Sequence, residues 1–534
     1  MIAQVWFILG MVLIVVIARG LGRRFGIPVT ILLTLIGLVY GFLPGPKLPL
    51  EPEPVLLLVL PPLLYSTARR SSLMAVRANL RPIISLSVLL VLVTAFSVGI
   101  VLSVVVPAMP FAVAMILGAA VAPPDPVAAL SIGRRAGMPP RLTTLIEGEG
   151  LLNDATALTT YQLAVTAAVT GAFSWTTATG LFALTAIGGL AVGTVAAVLI
   201  QRARPWLKDP LTANAVSLAA PFVIYLVAER IHASGVLAVV VAGLIIGHNA
   251  GQEETGAARL QTGAVWQLVE FLLEGFIFLL IGQQLPGVLS DLRSERAGVV
   301  VTAALVTVGV VLAVRPLWLA VTQLVPSRLH ARLGIRSNQR LSGREVVALT
   351  WSGTRGVITL AVVFAVPFTT DNGDPVPGRA LVVFCAYVVV LVTLVAQGLT
   401  FAPLLHKLDL RANAAEEELV RNAARLAAID AARADVSDQL RRGEIGPDLA
   451  TTLNAAMAAR ADRFRAREAA LEDTEDGRIT WTEDYESTLH ARRAVIDAER
   501  REIRRWRDSG SLSDASWRML RGELDHEERT VLSQ

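Results

Sequence analysis

From its first residues to about Leu405, the chain repeats one pattern: apolar runs of about 20 residues, each long enough to span a bilayer. This repetition excludes an ordinary water-soluble domain, in which segments that are apolar all round would have no common core to fill. Beyond Asp409 the pattern stops. Residues 409–534 are rich in Arg, Glu, Asp and Ala and hold no run long enough to span. Two parts are expected: a transmembrane domain over 1–408 and a helical cytoplasmic tail over 409–534, for which packing as a small helical domain and regulation by pH or a partner are both open. The lone cysteine, Cys385, excludes an intrachain disulfide and a Cys-based metal site.

The first run, IAQVWFILGMVLIVVIARG, has its basic residues after rather than before it and lacks a small-residue cleavage site. It reads as a retained first span rather than a signal peptide. Punctuation by polar residues, Pro and Gly gives thirteen spans, at 2–18, 28–43, 54–68, 82–107, 111–131, 143–170, 177–200, 211–229, 234–248, 263–285, 297–322, 345–367 and 379–405. The connecting loops alternate in charge. One set carries Arg23 and Arg24; Arg69, Arg70, Arg77 and Arg81; Arg134, Arg135 and Arg141; Arg202, Arg204 and Lys208; Arg259; and Arg328 through Arg344. The other is poor in Lys and Arg and holds Glu51, Glu53, Asp291, Glu295, Asp371 and Asp374. Basic loops stay cytoplasmic, which places the N-terminus outside the plasma membrane and the tail inside.

Two spans are interrupted. In the fifth, AVAMILGAAVAPPDPVAALSI, Pro123, Pro124 and Pro126 surround Asp125 and remove the backbone donors an α-helix needs. In the twelfth, Gly353 and Gly356 surround Arg355. Unwound backbone at membrane depth survives only where protein buries it or where it lines a wet cavity. The two spans lie seven apart, an odd offset, so they run in opposite directions. This predicts inverted repeats, spans 1–6 matching 8–13, with the interrupted helices meeting at a midplane transport site.

Charges at that depth cost at least a few kcal/mol each and need a partner or a function. Asp125 suits the positive N-terminal ends of half-helices, and Arg355 suits their C-terminal ends; a structural dipole-balancing pair and direct ion binding by Asp125 both remain open. In the sixth span, EGEGLLND places Glu147 near the cytoplasmic interface and Glu149 deeper, with Asp154 roughly 15–17 Å along the helix. Glu149 and Asp154 are five residues apart and project to different faces. Arg315 of span eleven, at a depth like that of Glu149, is expected to form a structural ion pair with it. Asp154 is left without a cationic partner. Such a carboxylate holds either a proton or a small cation and hardly both, and that competition is antiport. Asn153, Asp154 and carbonyls freed near Pro123–Asp125 supply the oxygen ligands a hard cation wants. Glu270 and Glu274, four apart on span ten, are expected to line a cytoplasmic funnel or contact the core.

The segments APPDPVAAL, EGEGLLNDATAL, GVLAVVVAGLIIG, FIFLLIGQQL, VRPLW and WSGTRGVITLA occur in that order. Together they resemble the sodium/proton antiporters of the monovalent cation:proton antiporter-1 family. The resemblance covers roughly residues 1–408. It implies an all-α polytopic membrane protein of thirteen transmembrane helices, with inverted repeats, two crossed discontinuous helices and a homodimer. It also implies that Asn153 and Asp154 are the family's Asn-Asp pair, with Asp154 binding the monovalent cation and the proton. Asp125 matches the Asp-Pro aspartate, Glu149 and Arg315 the acid–base pair, and Arg355 the second core arginine. Asn at 153 implies electroneutral one-for-one exchange. Gly150 and Pro124 stand where many members have Ser and Thr, and Tyr65-Ser66 lacks an acidic residue found in some, so two hydroxyls and a carboxylate are missing.

The expected function is therefore exchange of Na⁺, or alternatively K⁺ or Li⁺, for H⁺, with no cofactor and no enzymatic activity. A K⁺-preferring exchanger is the nearest alternative, and a non-transporting membrane sensor belongs to another class. An intramembrane aspartyl protease would need a Tyr-Asp and Gly-x-Gly-Asp pattern, which does not occur. In the tail, breaks are expected near Gly443–Pro447, Gly477 and Ser509–Gly510, with Ile496, Ile503 and Trp506 as packing positions. Its mixed-sign charges argue against nucleic acid as a partner.

Overall fold

The computed structural model describes residues 2–45, 47, 52–107, 109–171, 175–206, 209–253, 256–293, 295–324, 341–410, 414–472, 483–509 and 511–532. Of the charges and breaks singled out above, Glu51, Lys208, Arg328, Arg332, Arg336, Arg340, Gly477 and Gly510 lie outside the described residues. The chain divides into two compact units, Met1–Arg411 and Ala412–Gln534.

The first unit is built from helices, with no strand among the described residues. In order they are α1 (Ile2–Phe25), α2 (Val29–Phe42), α3 (Pro52–Leu58), α4 (Leu60–Arg70), α5 (Leu73–Ala78), α6 (Leu80–Ile84) and α7 (Leu90–Val105). Next come α8 (Phe111–Val121), α9 (Pro126–Arg135), α10 (Pro140–Thr170), α11 (Trp175–Ala203), α12 (Pro210–Arg230) and α13 (Gly235–Glu253). The unit closes with α14 (Gly256–Gln283), α15 (Leu285–Ser290), α16 (Ala297–Leu324), α17 (Gly343–Trp351), α18 (Val357–Phe364), α19 (Arg379–Val392) and α20 (Gly398–Lys407). Short π-helical turns at Ser85–Leu89 and Thr393–Gln397 join α6 to α7 and α19 to α20.

Each apolar run falls on one helix or on consecutive helical segments, because an apolar solvent leaves the backbone nothing to bond with but itself. Among the described residues, seven helical stretches are long and apolar enough to cross a membrane by length and composition. The run read as one third span is two helices meeting at Val59, since Pro61 and Pro62 occupy the first turn of α4 and cannot continue a helix from α3. Without a hydrophobic drive between lipid-facing helices, close approach depends on small residues. The contact of α2 with α14 shows this: a Cβ on Gly37 would lie 3.1 Å from the Gly282 Cα.

The second unit is also helical: α21 (Ala414–Arg441), α22 (Pro447–Glu472), α23 (Glu483–Asp508) and α24 (Asp514–Leu532). Gly443, with φ of 73°, turns the chain between α21 and α22, which share a small core at Ile429, Ala461 and Phe464. Arg500 of α23 ties that helix to α24 through Asp525 at 2.5 Å and Glu528 at 2.6 Å. Ile496 is buried, but Trp506 is 55% exposed and donates its indole N–H to Glu502, so the apolar stripe expected through Trp506 ends before it.

Candidate functional site

The site forms where two interrupted helices meet. α8 ends at Val121, and Pro123, Pro124 and Pro126 hold the backbone out of helical pairing until α9 begins. Asp125 is the residue before α9 and caps it, its Oδ1 accepting the Val127 N–H at 2.9 Å. Such a cap satisfies one of the donors that a helix start leaves open. On the other side, α17 opens with a capping box at Ser342 and Glu345 and ends at Trp351, and α18 resumes at Val357. The two breaks are joined at Asp125 and Thr354. The Asp125 N–H donates to the Thr354 carbonyl at 2.7 Å, and the Thr354 hydroxyl donates to the Asp125 carbonyl at 2.9 Å.

Arg355 sits in the second break, 3% exposed. Its Nε donates to the Val121 carbonyl at 2.6 Å, its guanidinium bonds the Gly353 carbonyl, and its own N–H donates to the Thr393 hydroxyl at 3.0 Å. The Val121 carbonyl is one of those left unpaired at the C-terminal end of α8, where a cation is favoured by the helix dipole. Thr393 opens the π-helical turn between α19 and α20.

The long helix α10 brings the remaining groups alongside. Glu149 meets Arg315 in a two-pronged pair, Nη1 donating to Oε1 at 2.5 Å and Nη2 to Oε2 at 2.8 Å, with both side chains nearly fully buried. Arg315 also donates from Nε to the Leu349 carbonyl at 2.8 Å, so it closes the last turn of α17 as well. Glu147 faces Arg134 at 2.5 Å and Ser71 at 3.2 Å. Asn153 is fully buried and donates from Nδ2 to the Pro124 carbonyl at 2.8 Å; its Oδ1 is buried with no hydrogen-bond partner among the described residues.

Asp154 is 5% exposed and lines, with Asp125, a cavity of about 80 Å³ otherwise walled mainly by apolar side chains. The structure thus brings Asp125, Asn153 and Asp154 to the helix crossing, and the Glu149–Arg315 pair abuts the second break, where a Cβ on Gly353 would lie 2.8 Å from the Arg315 Cδ. Of the carbonyls freed by the prolines, that of Pro124 is taken by Asn153. Glu270 pairs with Arg70 at 2.7 Å, while Glu274 lines the cavity of Asp154.

Thr354 has no role in the sequence reading, and Gly356 of the same WSGTRG segment enters it only as a helix interruption. A Cβ on Gly356 would lie 2.5 Å from the Asp125 carboxyl carbon, so only glycine lets the second break come this close. Thr393 carried no signal, being one threonine in an apolar run. Gly150 also takes on a different meaning. A Cβ there would lie 2.8 Å from the Pro126 Cδ, so the position that lacks a hydroxyl also has no room for a side chain.

Chemically, a buried carboxylate with an unpaired amide oxygen next to it in sequence and a second carboxylate across the cavity offers oxygen ligands to a hard cation. The same carboxylate can take a proton instead.

Residues 11–407 match the family described as sodium/hydrogen exchanger, transmembrane. The chain is 31% identical over 536 residues to an uncharacterized Na⁺/H⁺ exchanger of Mycobacterium tuberculosis, covering 98% of this chain and 96% of that protein. It is 34% identical over 407 residues to a sodium, potassium, lithium and rubidium/H⁺ antiporter of Bacillus subtilis, covering 73% of this chain and 60% of that one. Its fold is similar to that of the sodium/proton antiporter MjNhaP1 from Methanocaldococcus jannaschii, with a TM-score of 0.58, 18% identity, and coverage of 76% of this chain and 99% of that chain.

Proposed function

We propose a transport cycle from the premise that this chain belongs to the sodium/hydrogen exchanger family and is a multi-pass membrane cation/proton antiporter, not an enzyme. In that cycle Asp154 is the site shared by a monovalent cation, Na⁺ foremost, and the proton. Asn153 Oδ1 and the cavity-facing carboxylate of Asp125 complete the ligand set. Alternating access exposes the crossing to one side of the membrane and then the other. The observation that carries this reading is the Asp154 carboxylate itself: it lines a cavity, it is 5% exposed, and no described group hydrogen-bonds it. A carboxylate left so at membrane depth is held for function rather than packing.

The neighbouring position is Asn153, so the pair offers one ionisable group, and we assign one cation per proton and an electroneutral exchange. Glu149 with Arg315, and Arg355 at the end of α8, are assigned to holding the two interrupted helices together. The topology that goes with this reading has thirteen spans in inverted repeats. It puts the N-terminus outside the plasma membrane and the 412–534 unit inside, where it acts as a regulatory tail, and it assembles as a homodimer. The Bacillus relatives are named for four cations, which speaks for breadth of substrate rather than for a K⁺ preference.

Proteoliposomes with an imposed ΔpH test this directly, with Na⁺, K⁺ and Li⁺ added in turn. Cation-dependent dissipation of the gradient is expected from the wild type and none from Asp154→Asn. Full exchange by Asp154→Asn would sink the carrier assignment, and a rate that responds to membrane potential would sink the one-for-one stoichiometry.

A further inference from the structure

Glu274 is left without a role by the cycle above. It stands on α14 one turn beyond Glu270, on the same helix face. Glu270 is held by Arg70 at 2.7 Å, whereas among the described residues no group hydrogen-bonds or ion-pairs the Glu274 carboxylate. Its position is what distinguishes it. The small cavity holding Asp125 and Asp154 and a second, wider cleft of about 490 Å³ have two lining residues in common, Val127 and Glu274. Val127 is apolar, so Glu274 is the polar group common to both spaces.

The wide cleft is rimmed by Arg19, Arg23 and Arg135, the side that the charge bias of the loops assigns to the cytoplasm. Arg19 lies over the Phe271 ring at 4.5 Å, which directs its charge onto an aromatic face. Glu270 and the Thr30 hydroxyl, which is buried without a hydrogen-bond partner, also line the cleft. At the far end stands Asp154, more than nine-tenths buried and facing into the small cavity. A cation crossing from the wide cleft to Asp154 leaves water at the point where Glu274 stands. A carboxylate in a low-dielectric constriction raises the local cation concentration by focusing the field there.

We propose that Glu274 is a relay carboxylate: it receives the monovalent cation from the wide cleft and hands it to Asp154, and so sets apparent affinity on the cytoplasmic face only. This rests on Asp154 being the carrier. The test measures exchange in everted and right-side-out vesicles, with Na⁺ and Li⁺ as probes, for wild type, Glu274→Gln, Glu274→Asp and Asp154→Asn. Glu274→Gln is expected to raise KM for the cation at the cytoplasmic face about five-fold or more, with the saturating rate and the opposite-face KM within about two-fold of wild type. Glu274→Asp is expected to restore most of the loss.

An unchanged KM at the cytoplasmic face overturns the proposal. So does an equal rise at both faces, and so does loss of the saturating rate in protein that purifies as wild type does, because that would put Glu274 in the carrier step itself. Asp154→Asn separates the two ideas. Exchange by that variant defeats the carrier reading, whereas a silent Asp154→Asn beside an unaltered Glu274→Gln defeats the relay alone.

Discussion

Asp125 and Thr354 clasp the two interrupted helices through a reciprocal pair of hydrogen bonds, the Asp125 N–H to the Thr354 carbonyl at 2.7 Å and the Thr354 hydroxyl to the Asp125 carbonyl at 2.9 Å. The breaks are 229 residues apart in sequence, so this clasp is tertiary and neither helix provides it alone. The Asp125 side chain is left free to cap α9 and face the cavity. Thr354→Val keeps the shape and removes the hydroxyl donor, which is worth about 1 kcal/mol. We predict a lower melting midpoint and slower exchange for Thr354→Val, and near wild-type behaviour for Thr354→Ser. Equal stability of the two variants would show that the hydroxyl does not hold the crossing.

Gly356 supports the same contact from the other side. Its φ of −131° and ψ of −154° are open to any residue, so the glycine is required by space and not by backbone conformation. Gly356→Ala would set a methyl 2.5 Å from the Asp125 carboxyl carbon and must push that side chain aside. Overpacking of this kind costs about 1–3 kcal/mol. The expected result is correctly folded protein in detergent with exchange reduced about ten-fold, the order that a shift of 1.4 kcal/mol gives. Wild-type rates from Gly356→Ala would mean that Asp125 tolerates displacement and is not a ligand.

Much of this was legible in the sequence, for reasons that differ from residue to residue. Pro123, Pro124 and Pro126 announce a broken helix because proline removes a donor wherever it stands, and the structure places the break there. Glu149 and Arg315 could be matched because a buried charge needs a partner and each lay at a similar depth. The Thr354 clasp could not be read, because a threonine hydroxyl inside an apolar run gives the same signal whether it bonds its own helix, as Thr94 does to Leu90, or another one. Gly150 misled for a related reason. Comparison by residue type shows a lost hydroxyl, whereas only the position of the Pro126 ring shows that a side chain has no place there.

The Glu149–Arg315 pair gives a prediction about yield before activity. Both groups are buried, and Arg315 also holds the Leu349 carbonyl at the end of α17. Glu149→Gln leaves a guanidinium without its carboxylate in the protein interior, a loss of about 3–5 kcal/mol. Folded yield should fall sharply by size-exclusion chromatography, and the double variant Glu149→Gln with Arg315→Met should recover part of it. Recovery should stay incomplete because the Leu349 carbonyl loses its donor. Normal yield and stability for Glu149→Gln, with transport abolished, would reassign the pair to the transport step.

A pH prediction comes from Asp209, the cap of α12. The Thr212 backbone N–H and then its hydroxyl hold this carboxyl below the usual carboxylate range. A group depressed in this way contributes its stability fully above its unfolded value of about 3.9 and loses it only as pH falls through the lower folded value. Transport assays at neutral and alkaline pH lie above that window. Asp209→Asn retains a side-chain oxygen that can cap the helix, so the pH profile of exchange should superimpose on that of wild type. A displaced profile would show that Asp209 titrates within the working range.

The last prediction concerns ion preference at Gly150. If the missing hydroxyl were simply an absent ligand, Gly150→Ser would tighten cation binding. The geometry argues the reverse, because the Cβ of a residue at 150 would lie 2.8 Å from the Pro126 Cδ. Pro126 is the first residue of α9 and adjoins Asp125, so moving its ring moves the Asp125 cap. We therefore expect Gly150→Ser and Gly150→Ala to behave alike, both raising KM for Na⁺ and Li⁺ and both slowing exchange, with no gain in selectivity from the hydroxyl. Cation titrations of ΔpH dissipation on both variants decide the matter. A lower KM for Gly150→Ser alone would show that the proline ring yields and that the hydroxyl reaches the ion.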